Sequence, residues 1–542
     1  MSTFDRLAGN FGKRNSGDFL LQRLALLNDA ETCCQEGEKL LRQNKPGIAR
    51  QYFEKAVSLD AKSTHGWFGL GMVLIEAEEY AASLDCFHKV IKLDPKLPIG
   101  HANLGRSLHE TGQSDRAYEC FRRALELDFT QVLQNVAVAV PGFPSASNRT
   151  VLQERRKWAA KVAASEGAAP LALKVGQGED KACLRIGYVS AFFHRENWMK
   201  PVWALVARHD REKFQVHLFS DRTELTGELQ AILAEKDRFH DISGFGNRQV
   251  AELIRDQEID ILVDLNGYSY PPRFPMFLWK PAPLIIGWFN MYATTGFDCF
   301  DYLVGDDCVI PAEEEAFYCE KIVRVPHSYL TFKVDYPVPD VSAPPCLSNG
   351  YVTFGSLISQ YKITGLVIDA WSTILTQNPD SRLLIRNASL GKASNREFML
   401  AQFMRKGIDE KRLSLQGPAD HFEFLQTYDD IDIALDAFPY NGGTTTTEAI
   451  WQGLPVVAYW GDRWVSRTSA TLLRAAGLGR LVADDVTGYV RLATRLARDP
   501  GGLKAMRLEM REHLLKSAVC DTASFARSME KLYLDVWKET TG

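Results

Sequence analysis

Aromatic, aliphatic and small residues recur at a fixed interval in the first quarter of the chain. Phenylalanine stands at positions 53, 87 and 121, so that each is 34 residues from the next. Two further positions keep this interval with small or aliphatic residues, namely Ala49, Ser83 and Ala117 before the aromatic residue and Ala56, Val90 and Ala124 after it. Such an interval predicts stacked helix pairs in which small residues allow close approach and the ring fills the remaining space. We therefore expect three helical repeats over residues 30–131, preceded by a helical segment over residues 1–29.

After residue 180 the pattern changes to short apolar runs that alternate with helical segments. The runs predict buried β-strands over residues 184–190, 214–219, 259–265, 351–354, 382–385, 431–435 and 455–459. Strands that alternate with helices indicate parallel sheets covered by helices on both faces. A proline-rich stretch near residue 340 separates two such sets, which predicts two Rossmann-like lobes over residues 181–340 and 341–542. Residues 132–180 are expected to form a linker and a connecting helix.

Bulk composition narrows the classes of protein that remain. The 542 residues are 46% hydrophobic and 24% charged, which is typical of folded globular domains and excludes a disordered chain. A formal net charge of −5 predicts no general affinity for nucleic acid or anionic membranes, so any anion site must be local. The ten cysteines form no CxxC pair, the N-terminus carries charges, and no long apolar run occurs. We expect a cytoplasmic protein with reduced thiols and no membrane span.

One segment carries the pattern of an anion-binding turn. A predicted strand ends at Asp436, and a turn and a helix start follow with the sequence Asn441-Gly-Gly-Thr-Thr-Thr-Thr-Glu448. The first amides of a helix lack intrahelical acceptors and lie at the positive end of the helix dipole. Glycines let a ligand approach the backbone and threonine hydroxyls add donors, so the segment predicts a diphosphate site. Glu448 is expected to reach a sugar hydroxyl, such as that of a ribose. The alternative is that the threonines only cap the helix.

Residues 436–455 resemble the nucleotide-binding segment of glycosyltransferase family 41, which includes the O-GlcNAc transferase and SPINDLY-like enzymes. Further similar stretches follow in the family's order at residues 184–190, 259–268, 280–283, 352–356 with Lys362, and 466–467. The array of 34-residue units resembles tetratricopeptide repeats. The resemblance implies an α plus α/β chain of the bacterial type, with a tetratricopeptide superhelix followed by a GT-B fold. It also implies an inverting transfer of a sugar to Ser or Thr of a protein, without a metal ion or other cofactor, with UDP-GlcNAc as the first candidate donor.

The resemblance assigns the nucleotide-sugar site mainly to the second lobe. Lys362 matches a lysine that contacts the donor diphosphate, where a positive charge stabilises the departing nucleotide. Tyr361 precedes it and is expected to line the sugar pocket, and His421 matches a histidine that packs on the nucleobase. The remaining candidates are Asn441, Gly442, Gly443, Thr444, Thr445, Glu448 and Arg467. A helix cap is the alternative role of His421, and the pairing of a carboxylate is that of Arg467.

The first lobe departs from the family pattern after its first strand. The family commonly has an aspartate and then a histidine near the reacting centre, whereas Phe192 and Glu196 occupy those positions here. Glu196 or His194 is a candidate base that removes the proton of the acceptor hydroxyl. Each can instead contact the donor sugar or cap a helix.

Three further residues of the first lobe are candidates for the acceptor and sugar pocket, namely Asn266, Arg273 and Thr294. An ion pair at a helix start is the alternative role of Arg273. The loop at residues 290–296 keeps only Thr294 and Gly296 of the family's sequence. The donor therefore stays open between UDP-GlcNAc, GDP-fucose, UDP-glucose and other activated sugars.

Two other functions compete with this hypothesis. A metal-dependent GT-A transferase would need an aspartate pair beside the nucleotide, and Asp430 with Asp432 is the candidate, at the entry to a predicted strand. A non-catalytic adaptor would bind partners through the repeats and retain an inactive transferase region. For the favoured hypothesis, the expected partners are a nucleotide sugar and a protein or peptide acceptor along the groove of the repeats. A homo-oligomer is left open.

Overall fold

The computed structural model describes residues 16–173, 181–195, 197–222, 225 and 230–541. The chain divides into two compact units. The first unit contains the chain up to Val132 together with Ser389–Met399, and the second contains Leu133–Ala388 and Leu400–Gly542. Both predicted lobes therefore belong to one unit.

The first unit is built from antiparallel helices, as the 34-residue interval predicts. The helices are α1 (Ser16–Leu26), α2 (Ala30–Arg42), α3 (Pro46–Leu59), α4 (Thr64–Glu76), α5 (Tyr80–Leu93), α6 (Pro98–Glu110) and α7 (Ser114–Glu126). Phe53, Phe87 and Phe121 are all buried, and each lies against a glycine of a neighbouring helix. A Cβ atom on Gly69 would lie 2.2 Å from the Phe53 ring, so the ring occupies the space that a side chain would need. The helical-repeat prediction is confirmed.

The segment Ser389–Met399 joins the first unit through one buried side chain. The Asn395 amide nitrogen donates to the carbonyl oxygen of Glu78 at 2.8 Å, and its Oδ1 accepts from the backbone amide of Ala81 at 3.0 Å. These bonds satisfy backbone groups in the turn between α4 and α5. The sequence carries no pattern that predicts this contact, because the two segments are more than 300 residues apart.

Between the repeats and the first lobe, two helices pack closely against the lobe rather than forming a loose linker. They are α8 (Leu133–Ala139) and α9 (Asn148–Glu166). Trp158 of α9 packs against the rings of Tyr268, Phe274 and Phe297 at centroid distances of 5.3–5.4 Å. Arg155 is fully buried and donates to the carbonyl oxygen of Thr294 at 2.6 Å. The connecting helix is thus part of the lobe. The predicted linker at 176–180 lies outside the described residues.

The first lobe holds a parallel sheet of seven strands in the described part of the chain, in the order β3-β2-β1-β4-β5-β6-β7. The strands are β1 (Leu184–Ser190), β2 (Phe214–Ser220), β3 (Arg238–Asp241), β4 (Ile261–Asp264), β5 (Leu284–Gly287), β6 (Tyr302–Gly305) and β7 (Lys321–Arg324). Its helices are α10 (Lys200–Val206), α11 (Asn247–Asp256) and α12 (Phe274–Phe277). β1 has the bounds that its apolar run predicts.

The second lobe holds another parallel sheet, with the order β10-β9-β8-β11-β12-β13 among the described residues. Its strands are β8 (Thr353–Ser356), β9 (Arg382–Arg386), β10 (Leu413–Gln416), β11 (Ile433–Leu435), β12 (Val456–Tyr459) and β13 (Val482–Ala483). Its helices are α13 (Cys346–Asn349), α14 (Gly365–Gln377), α15 (Ala393–Met404), α16 (His421–Gln426), α17 (Thr444–Trp451), α18 (Thr468–Ala475), α19 (Val486–Ala497) and α20 (Pro500–Leu515). The prediction of two Rossmann-like lobes is confirmed.

The last helix, α21 (Thr522–Thr541), follows the second lobe in sequence but packs against the first. The Tyr533 hydroxyl lies 3.2 Å from that of Tyr188 in β1, and Glu530 Oε1 accepts from the amide of Asp210 at 2.7 Å. The chain therefore crosses between the lobes twice. Within the described residues, no helix combines the length and the apolar composition that crossing a membrane requires.

The close packing of Phe53 on Gly69 gives a test of the repeat array. We expect Gly69→Ala to destabilise the array by about 1–3 kcal/mol, because a methyl group must displace the ring. Gly47→Ala is the matched control, since nothing lies within 4 Å of its added Cβ and alanine favours a helix. Hydrogen exchange of α3 and α4 measures the effect. Equal exchange in both variants would contradict the packing argument.

Candidate active site

Hydrogen bonds between two side chains of the turn after β11 and backbone groups of the same turn fix its conformation. The Gly442 amide donates to Asp436 Oδ1 at 2.8 Å, and Asn441 Nδ2 donates to the carbonyl oxygen of Ala437 at 2.8 Å. A Cβ atom on Gly442 would lie 2.6 Å from Thr445 Oγ1, so a larger residue would have to displace that hydroxyl group. These contacts set the place where α17 begins.

The four threonines at the start of α17 divide into two pairs. Thr446 and Thr447 are buried and structural, since the Thr446 hydroxyl pairs with that of Ser469 at 2.7 Å and the Thr447 hydroxyl donates to the Thr444 carbonyl oxygen at 2.9 Å. Thr444 and Thr445 are half-buried, and their backbone amides have no protein acceptor in the described part of the chain. Those two amides lie at the positive end of the helix dipole. The start of the helix can therefore bind an anion.

Lys362 places a positive charge beside this helix start. The side chain follows β8, and its Nζ donates to the carbonyl oxygen of Asn441 at 2.8 Å. Nζ also lies 4.1 Å from the centroid of the Tyr440 ring. Burial lowers the pKa of Lys362 to about 8, an effect that Asp436 opposes in part. The ammonium group is therefore charged at pH 7 and can join the helix amides in neutralising a bound phosphate.

Two tyrosine rings, Tyr361 and Tyr440, lie beside the Lys362 ammonium group. Tyr440 packs edge-on against Tyr361 at a centroid distance of 5.7 Å, and it packs at a tilt against Tyr292 of the first lobe at 5.5 Å. Tyr361 was expected near the sugar. Tyr292 and Tyr440 are not among the residues predicted from the sequence, although Tyr440 lies inside the predicted anion-binding turn, directly before Asn441. The aromatic rings limit the access of water to the lysine.

Glu448 lies one helical turn beyond the anion-binding amides, and it is buried in a polar cluster. Its Oε1 accepts from Lys200 Nζ at 2.8 Å, and Lys200 belongs to α10 of the first lobe. The same oxygen lies 3.6 Å from His421 Nε2. Lys200 is not among the site residues predicted from the sequence. Its position in the sequence could have drawn attention to it, because it directly precedes Pro201 at a helix start, within the segment that departs from the family pattern.

His421 presents a neutral ring beside this cluster. Asp420, and not His421, caps α16, because Asp420 Oδ1 accepts from the amide of Glu423 at 2.9 Å. The imidazole packs edge-on against Tyr336 at 5.2 Å. Burial, and then the charge of Lys200, lower the pKa of His421 to about 4. A neutral, half-buried ring is suited to packing against a nucleobase.

Four predicted residues have structural partners. Arg467 Nη2 donates to Glu314 at 2.6 Å, so the carboxylate alternative is what the structure shows. Arg273 is bound by the Asp221 carboxylate, with Nε 2.9 Å from Oδ1, which is again the ion-pair alternative. The remaining two contacts are Thr294 Oγ1 donating to Glu320 Oε2 at 2.8 Å and Asn266 Oδ1 accepting from the amide of Ala191 at 2.8 Å.

These partners bear on the expected acceptor and sugar pocket. Arg273 and Thr294 are buried and bonded to carboxylates within the first lobe, and their role toward the acceptor stays a prediction. Asn266 holds the loop that follows β1, which carries His194. Gly267 beside it has φ +47°, and a Cβ there would lie 2.3 Å from the carbonyl oxygen of Asn290. Asn266 and Gly267 therefore shape the first lobe's edge of the cleft.

Of the two candidate bases, the structure describes His194 but not Glu196. His194 is half-buried, and its Nδ1 makes no hydrogen bond to the described residues. Burial, and then Arg222 and Arg195, lower the pKa of His194, so that the imidazole is neutral and able to accept a proton. Glu196 lies outside the described residues. The choice between them stays open.

One aspartate of the rival metal site, Asp432, has a structural role. Asp432 accepts from the amides of Cys346 at 3.0 Å and Thr353 at 2.8 Å, and it thereby holds α13 against β8. Among the described residues, no group of three or more histidine, cysteine, aspartate or glutamate side chains is arranged to hold a metal ion.

Two parallel-sheet lobes contact each other across a polar cleft, through Lys200 with Glu448, Arg467 with Glu314, and Tyr292 with Tyr440. With an anion-binding helix start in the second lobe, this arrangement defines the GT-B class of glycosyltransferases. The sequence model of glycosyltransferase family 41 matches residues 167–337 and 345–529. A tetratricopeptide-repeat model matches residues 64–97 and 100–131. The chain belongs to glycosyltransferase family 41.

Individual relatives agree with this assignment. A protein named as a probable UDP-N-acetylglucosamine–peptide N-acetylglucosaminyltransferase SPINDLY from Petunia hybrida is 32% identical over 363 residues, covering 66% of this chain and 39% of that protein. Its counterpart from Hordeum vulgare is 34% identical over 360 residues, covering 65% and 38%. This chain thus spans about two fifths of the length of these relatives. A variant of the O-GlcNAc transferase of Thermobaculum terrenum has a similar structure, with a TM-score of 0.80 and 28% identity over 98% of this chain and 99% of that one.

The position of Lys362 predicts pH-dependent anion binding. Because the pKa of Lys362 is about 8, the affinity for inorganic pyrophosphate should fall about tenfold between pH 7 and pH 9 as the ammonium loses its proton. Lys362→Arg keeps the charge over this range, and its affinity should change less. Calorimetric titration of both proteins measures the difference and removes the contribution of the ligand's own ionisation. The same pH dependence in both would show that Lys362 is not the titrating group.

Proposed function

We propose that this protein is an inverting protein O-glycosyltransferase that moves a sugar from a nucleoside diphosphate donor to Ser or Thr of a protein, without a metal ion or other cofactor. UDP-GlcNAc is the first candidate donor, because the names of the SPINDLY relatives specify that sugar nucleotide. GDP-fucose and UDP-glucose are the alternatives, since the loops facing the sugar differ from the family pattern. The single observation that carries the proposal is Lys362 bound to the turn at which α17 begins.

The chemistry follows from where negative charge develops. The oxygen of the acceptor hydroxyl attacks the anomeric carbon while the bond from that carbon to the diphosphate oxygen breaks. The departing diphosphate gains negative charge, which the ammonium of Lys362 and the amides of Thr444 and Thr445 are placed to stabilise. Attack from the face opposite the leaving group inverts the anomeric centre. A cation and helix amides that are already in place do the work that a metal ion does in other transferases.

The proton of the acceptor hydroxyl must move to a base during this step. His194 is a neutral imidazole on the loop after β1, and Glu196 is two residues further along the same segment. At the other end of the donor, the neutral ring of His421 is suited to the nucleobase and Glu448 to a ribose hydroxyl. The repeats are the proposed site for the protein acceptor, because stacked helix pairs present an extended surface to a peptide.

A panel of donors tests the sugar. The full chain is incubated with host lysate and UDP-GlcNAc, GDP-fucose or UDP-glucose, and intact-protein mass gives the mass that is added. We expect one donor to add the mass of its own sugar residue, with equal turnover in the presence of a chelator. Loss of turnover with chelator would contradict the metal-independent step. Absence of transfer together with absence of nucleoside diphosphate binding would favour the non-catalytic adaptor.

Removal of one charge tests the mechanism. We expect Lys362→Ala to lower kcat about 10²–10³-fold, because it removes the cation that meets the leaving diphosphate. Lys411→Ala is the matched control, since Lys411 is an exposed lysine of the same lobe, and it should keep wild-type turnover. Steady-state kinetics with the donor identified by the panel measures both. Near-normal turnover of Lys362→Ala would refute the role of Lys362.

A further inference from the structure

A buried ion pair connects the two lobes beside the proposed ribose site. Lys200 Nζ and Glu448 Oε1 are 2.8 Å apart, with only 6% and 4% of the respective side chains exposed. Glu448 belongs to the turn and helix that the family resemblance explains, whereas Lys200 comes from the segment of the first lobe that departs from the family pattern. The ion pair is therefore a feature of this chain that the resemblance does not explain.

The ammonium group of Lys200 is held by several neighbours. It donates to the Tyr336 hydroxyl, lies 4.1 Å from the centroid of the Tyr336 ring and lies 5.4 Å from that of Phe332. Tyr336 in turn packs against His421. The contacts with Glu448, Tyr336 and Phe332 thus hold the ammonium group in place.

A structural link between the lobes does not require this chemistry. Removing two charges from water costs several kcal/mol, and an apolar pair of similar volume commonly stabilises a protein as well or better. The arrangement also leaves one carboxylate oxygen available. Oε1 of Glu448 receives Lys200, whereas no hydrogen bond from the described residues reaches Oε2. Burial raises the pKa of the Glu448 carboxyl, and the charge of Lys200 opposes that rise, so the ion pair favours the carboxylate form. A carboxylate that is oriented through one oxygen is suited to accept a hydroxyl group with the other.

We propose that Lys200 is a positioning residue for the donor, which keeps Glu448 ionised and oriented so that its second oxygen accepts a ribose hydroxyl. The first lobe then contributes to nucleotide recognition through a carboxylate of the second lobe. This inference rests on the proposed function, in which Glu448 meets the ribose. It predicts that the effect of Lys200 depends on ribose hydroxyls and on Glu448.

Calorimetry with three ligands separates positioning from simple support of the fold. The ligands are UDP, 2′,3′-dideoxy-UDP and inorganic pyrophosphate, which has no ribose, and GDP replaces UDP if the wild type prefers it. We expect Lys200→Met to weaken UDP binding about tenfold and to leave pyrophosphate binding within about twofold of wild type. Dideoxy-UDP should bind both proteins about equally. Lys213→Met, which removes an exposed lysine of the same lobe, is the matched control and should leave all three affinities unchanged.

A double-mutant cycle tests the dependence on Glu448. We expect Glu448→Gln to weaken UDP about tenfold, and the double variant to bind no more weakly than the weaker single variant, because both act at one contact. Lys200→Arg should restore part of the affinity. Multiplicative losses in the double variant, or an equal loss for pyrophosphate and UDP, would overturn the positioning role.

A milder substitution keeps the test available if Lys200→Met does not fold. Tyr336→Phe removes only the hydroxyl that Lys200 contacts, and it should weaken UDP about threefold while leaving dideoxy-UDP unchanged. An equal loss for UDP and dideoxy-UDP would again overturn the proposal. If the wild type binds pyrophosphate but neither UDP nor GDP, the proposed function itself fails, and the role of Lys200 fails with it. The positioning role of Lys200 is supported if the wild type binds UDP or GDP and the variants lose only the part of this binding that depends on the ribose hydroxyls.

Discussion

The hydrogen bond from the Gly442 amide to the Asp436 carboxylate fixes the point at which the second lobe presents positive charge. It closes the turn after β11, and the turn in turn determines where α17 begins and where its free amides point. The carbonyl oxygen of Asn441, in the same turn, receives the ammonium of Lys362 from the loop after β8. The residues that follow the parallel strands β8 and β11 thus lie at one edge of the sheet, where ligands of such folds bind.

The contacts between the lobes depend on the same region. Glu448, one turn into α17, meets Lys200, and Tyr440 of the turn meets Tyr292. Arg467, at the start of α18, meets Glu314. The turn after β11 and the first turns of α17 carry both the proposed anion site and two of these contacts. A ligand that binds there therefore lies at the interface between the lobes. Movement of one lobe relative to the other would therefore change the surroundings of the ligand.

The sequence predicts the repeats and many of the strands of both sheets, because each element depends on residues that are close together in the chain. The anion site at the turn after β11 stays a prediction. Of the strands that it misses, β3 and β7 are edge strands with polar or partly exposed residues, which need no apolar run. The missed β5 and β6 are buried apolar strands of only four residues each. The sequence also does not predict contacts between residues that are distant in the chain. Nothing local to Arg467 distinguishes a phosphate ligand from the partner of Glu314, and nothing local to Lys200 indicates Glu448. The partners of Arg273 and Thr294, namely Asp221 and Glu320, are likewise set by the tertiary fold and have no local signal in the sequence.

Burial lowers the pKa of both Lys362 and His421, but the two groups carry different charges at neutral pH. Lys362, with a pKa of about 8, keeps its positive charge, whereas His421, with a pKa of about 4, is neutral. A charged side chain accordingly lies where the diphosphate is proposed to bind, and an uncharged ring lies where the nucleobase is proposed to bind. The charge of Lys200 contributes to this difference, because it lowers the pKa of His421 while it pairs with Glu448. One residue of the first lobe thus acts on two neighbouring groups of the second, and an apolar residue at position 200 could do neither.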